Sequence, residues 1–257
     1  MTENVKNKEV APKAPQNNDE AVIADLLKNV PVQNAISVKL PSRNKFYNLE
    51  DGAKHVVVRP MTFADEKALV STKHANIDIL NLLLSRCVSN IDINSLLIMD
   101  KLFLIMKLRE ISYGSEYTVA INCPSCRREN KVTFDLSILQ TRFVEDDFEI
   151  PVSVNLPILK KKVTVRLPRV EDEKYLQNVE LGSANMWRFI ESIDGHTKKT
   201  IVSGVLSKLP IKDIHAILKV MNSENYGIDP NVRFACSYCS HHEAMELPIS
   251  ADFFIGN

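Results

Sequence analysis

The chain has 257 residues, 45% of them hydrophobic and 25% charged, proportions that exclude a chain disordered throughout. Its 32 basic residues balance 32 acidic ones, so no global basic field draws in nucleic acid or a membrane. Seven glycines fall far below the roughly 18 of average usage, and neither G-x-G-x-x-G nor G-x-x-x-x-G-K-S/T occurs.

Residues 1–35 read as a flexible N-terminal arm. Lys, Asn, Glu, Pro and Gln dominate it, so little apolar area offsets chain entropy. Within it, residues 20–30 place Val22, Ile23, Leu26, Leu27 and Val30 on one face of a short helix. That helix packs on its own body or docks on a partner. The arm lacks the apolar stretch of a signal peptide. The densest apolar run, residues 102–106, is far shorter than the roughly 20 needed to cross a bilayer. A reducing cytosol is therefore expected, where cysteines read as metal ligands or buried thiols before disulfides.

The folded body begins with alternation at Ile36-Ser-Val-Lys-Leu40, a strand. A turn at Pro41-Ser-Arg-Asn44 and the pair Phe46-Tyr47 follow, then a second strand in His55-Val-Val-Val-Arg-Pro60. Thr62 or Asp65 caps the next helix, with Asp65-Glu66-Lys67 in its first turn, where the helix dipole favours carboxylates. Residues 77–88 and 95–111 read as two further helices, apolar enough to be core. Gly114 suits a left-handed C-cap. Residues 117–121 alternate into Cys123-Pro-Ser-Cys126 and residues 132–136 alternate out of it, a hairpin tipped by two cysteines.

The series then recurs. Residues 162–166 form a strand, Glu171-Asp-Glu-Lys174 opens a helix, and residues 198–208 and 211–221 read as helices. Tyr226-Gly227 leads to Cys236-Ser-Tyr-Cys239. At an offset of 113 residues Tyr113-Gly114, Val119, Ile121, Cys123, Cys126 and Ser137 match Tyr226-Gly227, Val232, Phe234, Cys236, Cys239 and Ser250. Asp65-Glu66-Lys67 matches Asp172-Glu173-Lys174 at an offset of 107. The expected fold is α+β and internally duplicated. Each half is a strand, about three helices and a C-x-x-C-tipped antiparallel hairpin: residues 36–138, then 139–257 including a connecting strand around Phe148, Ile150, Val152 and Val154.

Two C-x-x-C pairs supply the four soft ligands of a tetrahedral structural zinc site: Cys123, Cys126, Cys236 and Cys239. A zinc ribbon commonly separates its pairs by about 15–20 residues; here 109 intervene. The pairs meet if the halves pack as pseudo-twofold mates, one zinc clamping them together. Two separate sites, the second using His241 or His242, and a metal-free pair of knuckles are the alternatives. A redox pair would need a strand-to-helix setting. Cys87, in an apolar stretch, reads as a buried thiol.

Catalysis is not expected. Four thiolates leave no open coordination position for water, and His55, His74 and His196 stand alone. His215 reads as a core histidine, His241 and His242 as exposed tip residues, and no nucleophile elbow occurs. Nucleic-acid binding through the hairpins is the alternative function, with Arg127-Arg128 and Lys160-Lys-Lys162 supplying some basic charge.

The order Pro41-Ser42-x4-Tyr47, Val58-Arg-Pro-Met-Thr62 with Asp65-Glu66-Lys67, and Leu108-Arg-Glu-Ile-Ser-Tyr-Gly114 before the first C-x-x-C resembles the baseplate hub and hub-assembly proteins of T-even-type contractile-tailed bacteriophages. The resemblance is best over residues 38–137 and continues more weakly to 250. Asn44 stands where a glycine would be expected in the opening turn. The resemblance implies a non-enzymatic structural or assembly protein of the hub. It would act in the host cytoplasm during assembly and in the tail baseplate, with other hub proteins as partners and the N-terminal arm as a contact.

Overall fold

A computed structural model describes residues 18–28, 34–71, 76–177, 179–222, 226–249 and 251–254. They fall into two units, one within residues 1–33 and one from Asn34 onward. The first holds helix α1 (Asn18–Leu27), with Asp19 and Glu20 in its first turn, where the amide dipoles favour negative charge. Val30, expected on this helix, lies outside the described residues.

The second unit opens with three antiparallel strands, β1 (Ile36–Val38), β2 (Val56–Val58) and β3 (Val88–Ser89), in that order across a sheet. Between β2 and β3 run α2 (Phe63–Ser71) and α3 (Asn76–Cys87). The Asp92 side chain accepts from Asn94 N and starts a short 3-10 turn at Ile93–Ser95. That turn delays α4 to Ile98–Tyr113, later than the periodicity alone suggests. Gly114 closes α4 at φ +88°, its amide donating to Glu110 O. The hairpin β4 (Glu116–Asn122) and β5 (Glu129–Asp135) follows.

A short strand β6 (Thr141–Arg142) precedes a second three-stranded antiparallel sheet, β7 (Val152–Asn155), β8 (Lys162–Val165) and β9 (Ile190–Ile193). The stretch expected as a connecting strand thus holds β7, an edge of this sheet in the place β1 takes in the first. Between β8 and β9 the expected helix at 171–174 is instead a 3-10 segment, Val170–Tyr175. There Asp172 already accepts the Arg169 amide and the Arg166 guanidinium, and α-helix resumes only at α5 (Val179–Asn185). Then come α6 (Lys199–Leu206), α7 (Ile211–Met221), β10 (Gly227–Ile228), paired with β6, and the hairpin β11 (Asn231–Ala235) and β12 (His242–Glu246).

The registers of the two hairpins coincide at the 113-residue offset. Thr118 faces Thr133 as Asn231 faces Glu246, and Asn122 faces Glu129 as Ala235 faces His242. The sheets correspond too: Val58 faces Val88, and Val165 faces Ile190. Ser250, the match expected for Ser137, lies outside the described residues.

Two large apolar cores account for most of the buried side chains described in this unit. The first gathers Leu40, Val56, Val58, Leu84, Leu96, Leu104 and Leu108 with Ile228, Leu247, Phe253 and Phe254 from the C-terminal half. The second holds Leu156, Val163, Val165, Phe189, Val202 and Ile217. Each such side chain contributes about 1.5–3 kcal/mol on burial; the first core binds the C-terminal segment to the N-terminal half, while the second lies wholly within the C-terminal half. Cys87 sits in the first of them as expected, where burial pushes its thiol up to about 11. Gly227 is sterically required: its φ is +106°, and an added Cβ would lie 2.6 Å from Met99 Cε. At Gly114 the space is open, and only the positive φ asks for glycine.

Candidate metal centre

The β4–β5 and β11–β12 hairpins end in loops of one design. Cys123 N donates to Arg128 O and Arg127 N to Cys123 O; Cys236 N donates to His241 O and Ser240 N to Cys236 O. Arg127 and Ser240 both take positive φ, near 60° and 55°. Each loop therefore turns both of its cysteines to one side, and the two loops face each other. Cys123, Cys126, Cys236 and Cys239 bring their sulfurs within 4.8 Å of one another. Cys123 Sγ lies 3.7 Å from Cys239 Sγ, and Cys126 Sγ 3.7 Å from Cys236 Sγ. These spacings exceed the ~2.05 Å of a disulfide. The two 3.7 Å spacings match the ~3.8 Å edge of a sulfur tetrahedron around a metal at ~2.3 Å.

The surroundings favour thiolate unequally. Burial works against a charge on Cys236, but the amides of Tyr238 and Cys239, joined by hydrogen bonds from Cys123 and Cys126, outweigh it and bring the thiol down to about 6. At Cys126 the Arg128 amide favours the thiolate, yet desolvation and the three neighbouring sulfurs push the thiol up to about 11. A divalent cation in the middle would replace the thiol hydrogen bonds that hold the proton on Cys126. Cys123 and Cys236 pack with Phe234 in a small core, flanked by Ile121, Val132 and Met245.

Two contacts between the hairpins were not legible in the sequence. The buried Asn130 Oδ1 accepts from Ser237 N at 2.9 Å and from Ser237 Oγ at 3.0 Å. The Arg128 guanidinium lies over the Tyr238 ring, 5.2 Å from its centroid. At the 113-residue offset Asn130 corresponds to Glu243 and Ser237 to Pro124. Proline has no N–H to donate, so the reciprocal contact cannot form. Asn130→Ala should therefore cost about 1–2 kcal/mol, by stranding Ser237 groups at the interface, in a denaturant titration. Glu243→Ala, at the exposed matched position, should stay within about 0.5 kcal/mol. Equal losses would contradict this asymmetric lock.

Among the described residues no histidine joins the cluster. His55, His196, His215 and His242 are exposed, and His74 lies outside the described residues. His215, expected in the core, instead occupies the outer face of α7. Among the described residues the cluster of metal-ligating side chains consists of the four cysteines.

The other residues singled out in the sequence form a buried polar framework. Asp100, on α4, accepts from Ser42 N at 3.0 Å and from the Tyr47 hydroxyl, whose oxygen in turn accepts from Leu97 N. The Pro41-Ser42-x4-Tyr47 spacing thus wraps one carboxylate. Asn44, where a glycine was expected, adopts φ +60°, which asparagine tolerates. Its side chain accepts from Leu40 N and donates to Lys54 O. Ser112 Oγ accepts from Met61 N, joining the Arg-Pro-Met-Thr segment to the end of α4.

The Asp-Glu-Lys triplets serve ion pairs rather than the helix dipole alone. The buried Asp65 accepts from Arg59 Nη1 and Arg86 Nε, each at 2.7 Å. The buried Asp172 accepts from Arg166 Nη1 at 2.6 Å and Nη2 at 2.8 Å. Burial alone would raise both carboxyls, but the guanidinium groups and the Thr62 and Arg169 amides hold them below the usual carboxylate range. The backbones repeat the theme: Arg59 N donates to Cys87 O, and Arg166 N to Phe189 O.

This framework organises a scaffold, and the sequence comparison agrees. Residues 34–255 match the T4 bacteriophage base plate protein family. The chain belongs to that family, and its role is a structural one in the phage baseplate, with other baseplate proteins as partners. No curated protein matches the chain, and no solved structure does. Among the described residues no helix is long and apolar enough to cross a membrane.

Proposed function

We propose that the protein is a non-enzymatic structural or assembly component of the baseplate hub, its body clamped by a single zinc held by Cys123, Cys126, Cys236 and Cys239. The convergence of four sulfurs from hairpins 113 residues apart carries the zinc reading. The donor set fits: four thiolates suit a closed tetrahedral zinc and leave no position for a reacting water. Bound there, the metal would supply the cross-link that a small apolar core at the hairpin tips does not. The hub assignment rests on the resemblance over residues 38–137.

The two halves, residues 36–138 and 139–257, are read as copies of one ancestral unit. The matched hairpin registers and the matched Arg59–Asp65 and Arg166–Asp172 pairs support this. The arm, residues 1–35, is read as a contact with neighbouring hub proteins through the apolar side chains of α1. Assembly would take place in the host cytoplasm. Deleting the gene from a phage that carries it tests the function. The expected result is baseplates without a central hub by electron microscopy, restored by the gene in trans. Normal hubs in its absence would overturn the reading.

A further inference from the structure

The hairpin between β7 and β8 ends in a third loop of the knuckle design, without cysteines. Leu156 N donates to Lys161 O, Lys160 N donates to Leu156 O, and Lys160 takes φ +59°. Leu156 and Leu159 occupy the places of the two cysteines. In the cysteine loops the sulfurs face a second loop; here the buried carboxylate of Asp213 on α7 accepts from Ile158 N at 2.7 Å and Leu159 N at 2.9 Å. That carboxylate anchors the loop against the first turn of α7 and leaves its apolar tip uncovered. Ile158 is 52% exposed, Leu159 40% and Ile211, two residues before the anchor, 67%. Lys160, Lys162 and Lys212 are exposed around them. Lys161 pairs with Asp194 at 2.7 Å, and Asp213 is spent on the loop amides.

We infer that this lysine-ringed apolar tip is a docking surface for a protein segment that presents carboxylates beside apolar side chains. Three large apolar groups held rigidly in water offer an anchor. The surrounding ammonium groups select an acidic partner and repel a basic one. The loop design adds a reason: the two cysteine loops face each other, and among the described residues of the second unit this loop faces no second loop of that design. The inference does not depend on the metal or on the hub assignment, so its failure leaves both standing.

The test is fluorescence anisotropy with the full-length protein and a labelled 16-residue synthetic peptide that carries leucines at helical spacing flanked by glutamates. The expected result is saturable binding that weakens at least fivefold in Ile158→Ser/Ile211→Ser and in Lys160→Glu/Lys162→Glu/Lys212→Glu. The peptide with lysines for glutamates should not bind. Far-UV circular dichroism of both variants should match the parent, since all five positions are exposed. Absent binding, or equal binding by parent and variants, overturns the inference. So does loss, in the same variants, of binding to phosphatidylserine vesicles or to duplex DNA in place of the peptide.

Discussion

Cys126→Ser and Cys239→Ser, one from each hairpin, are expected to abolish zinc binding alike and to lower the melting temperature by at least ~10 °C each. A four-sulfur site has no spare ligand, and the hairpins share a core of only a few side chains around it. Removing any one sulfur therefore releases the two hairpin tips from each other, while the strands stay packed on the main core. Cys87→Ser, in a core away from the cluster, should leave metal content unchanged. Chelation of the parent protein should reproduce the cysteine variants. Metal binding requires thiolates, so it releases protons and weakens as pH falls. Thermal scans with zinc titration check this. A large loss in only one of the two variants would mean that the pairs are separate.

Asp65→Ala should cost about 2–3 kcal/mol in urea denaturation. The carboxylate is fully buried and accepts from Arg59, Arg86 and the Thr62 amide. Its loss strands two guanidinium groups, partly relieved because both side chains reach solvent. Asp172→Ala should cost about as much, because Arg166 makes the matching pair and the Arg169 amide the matching cap. The pH dependence follows the same groups. Each folded-state value lies below the unfolded one, so the stabilisation is complete above about pH 4 and is lost as the pH falls toward the folded values. Asp65→Asn should flatten that acid limb. An Asp172→Ala variant as stable as the parent would contradict the equivalence of the halves.

Much of this architecture is written locally. Period-two alternation marked β1, β2, the hairpins and β8, and apolar density marked α3, α4, α6 and α7, because those signals depend only on which face a residue presents. The identical spacing of the cysteine pairs, with their Tyr-Gly leads, is enough to group the four cysteines that the structure brings together. What was not legible is non-local. Asp65 and Asp172 looked like ordinary first-turn acids, since their arginine partners are visible only once β2 and β8 lie beside the helix that follows. His215 looked buried because its helix is apolar, yet it stands on the wrong side of α7. Asn130 gave no signal, because its partner Ser237 lies across a contact that has no counterpart at the matched positions, Glu243 and Pro124. The third knuckle was missed because its leucines carry none of the chemistry by which such loops are recognised.

The central claim is that two lobes are held together by one metal in four sulfurs. The most direct measurement is elemental analysis of the purified full-length protein combined with zinc-edge X-ray absorption. One zinc per chain, coordinated by four sulfurs at ~2.3 Å and lost in both Cys126→Ser and Cys239→Ser, is the predicted result. No zinc, two zincs per chain, or a first shell containing nitrogen or oxygen would contradict it.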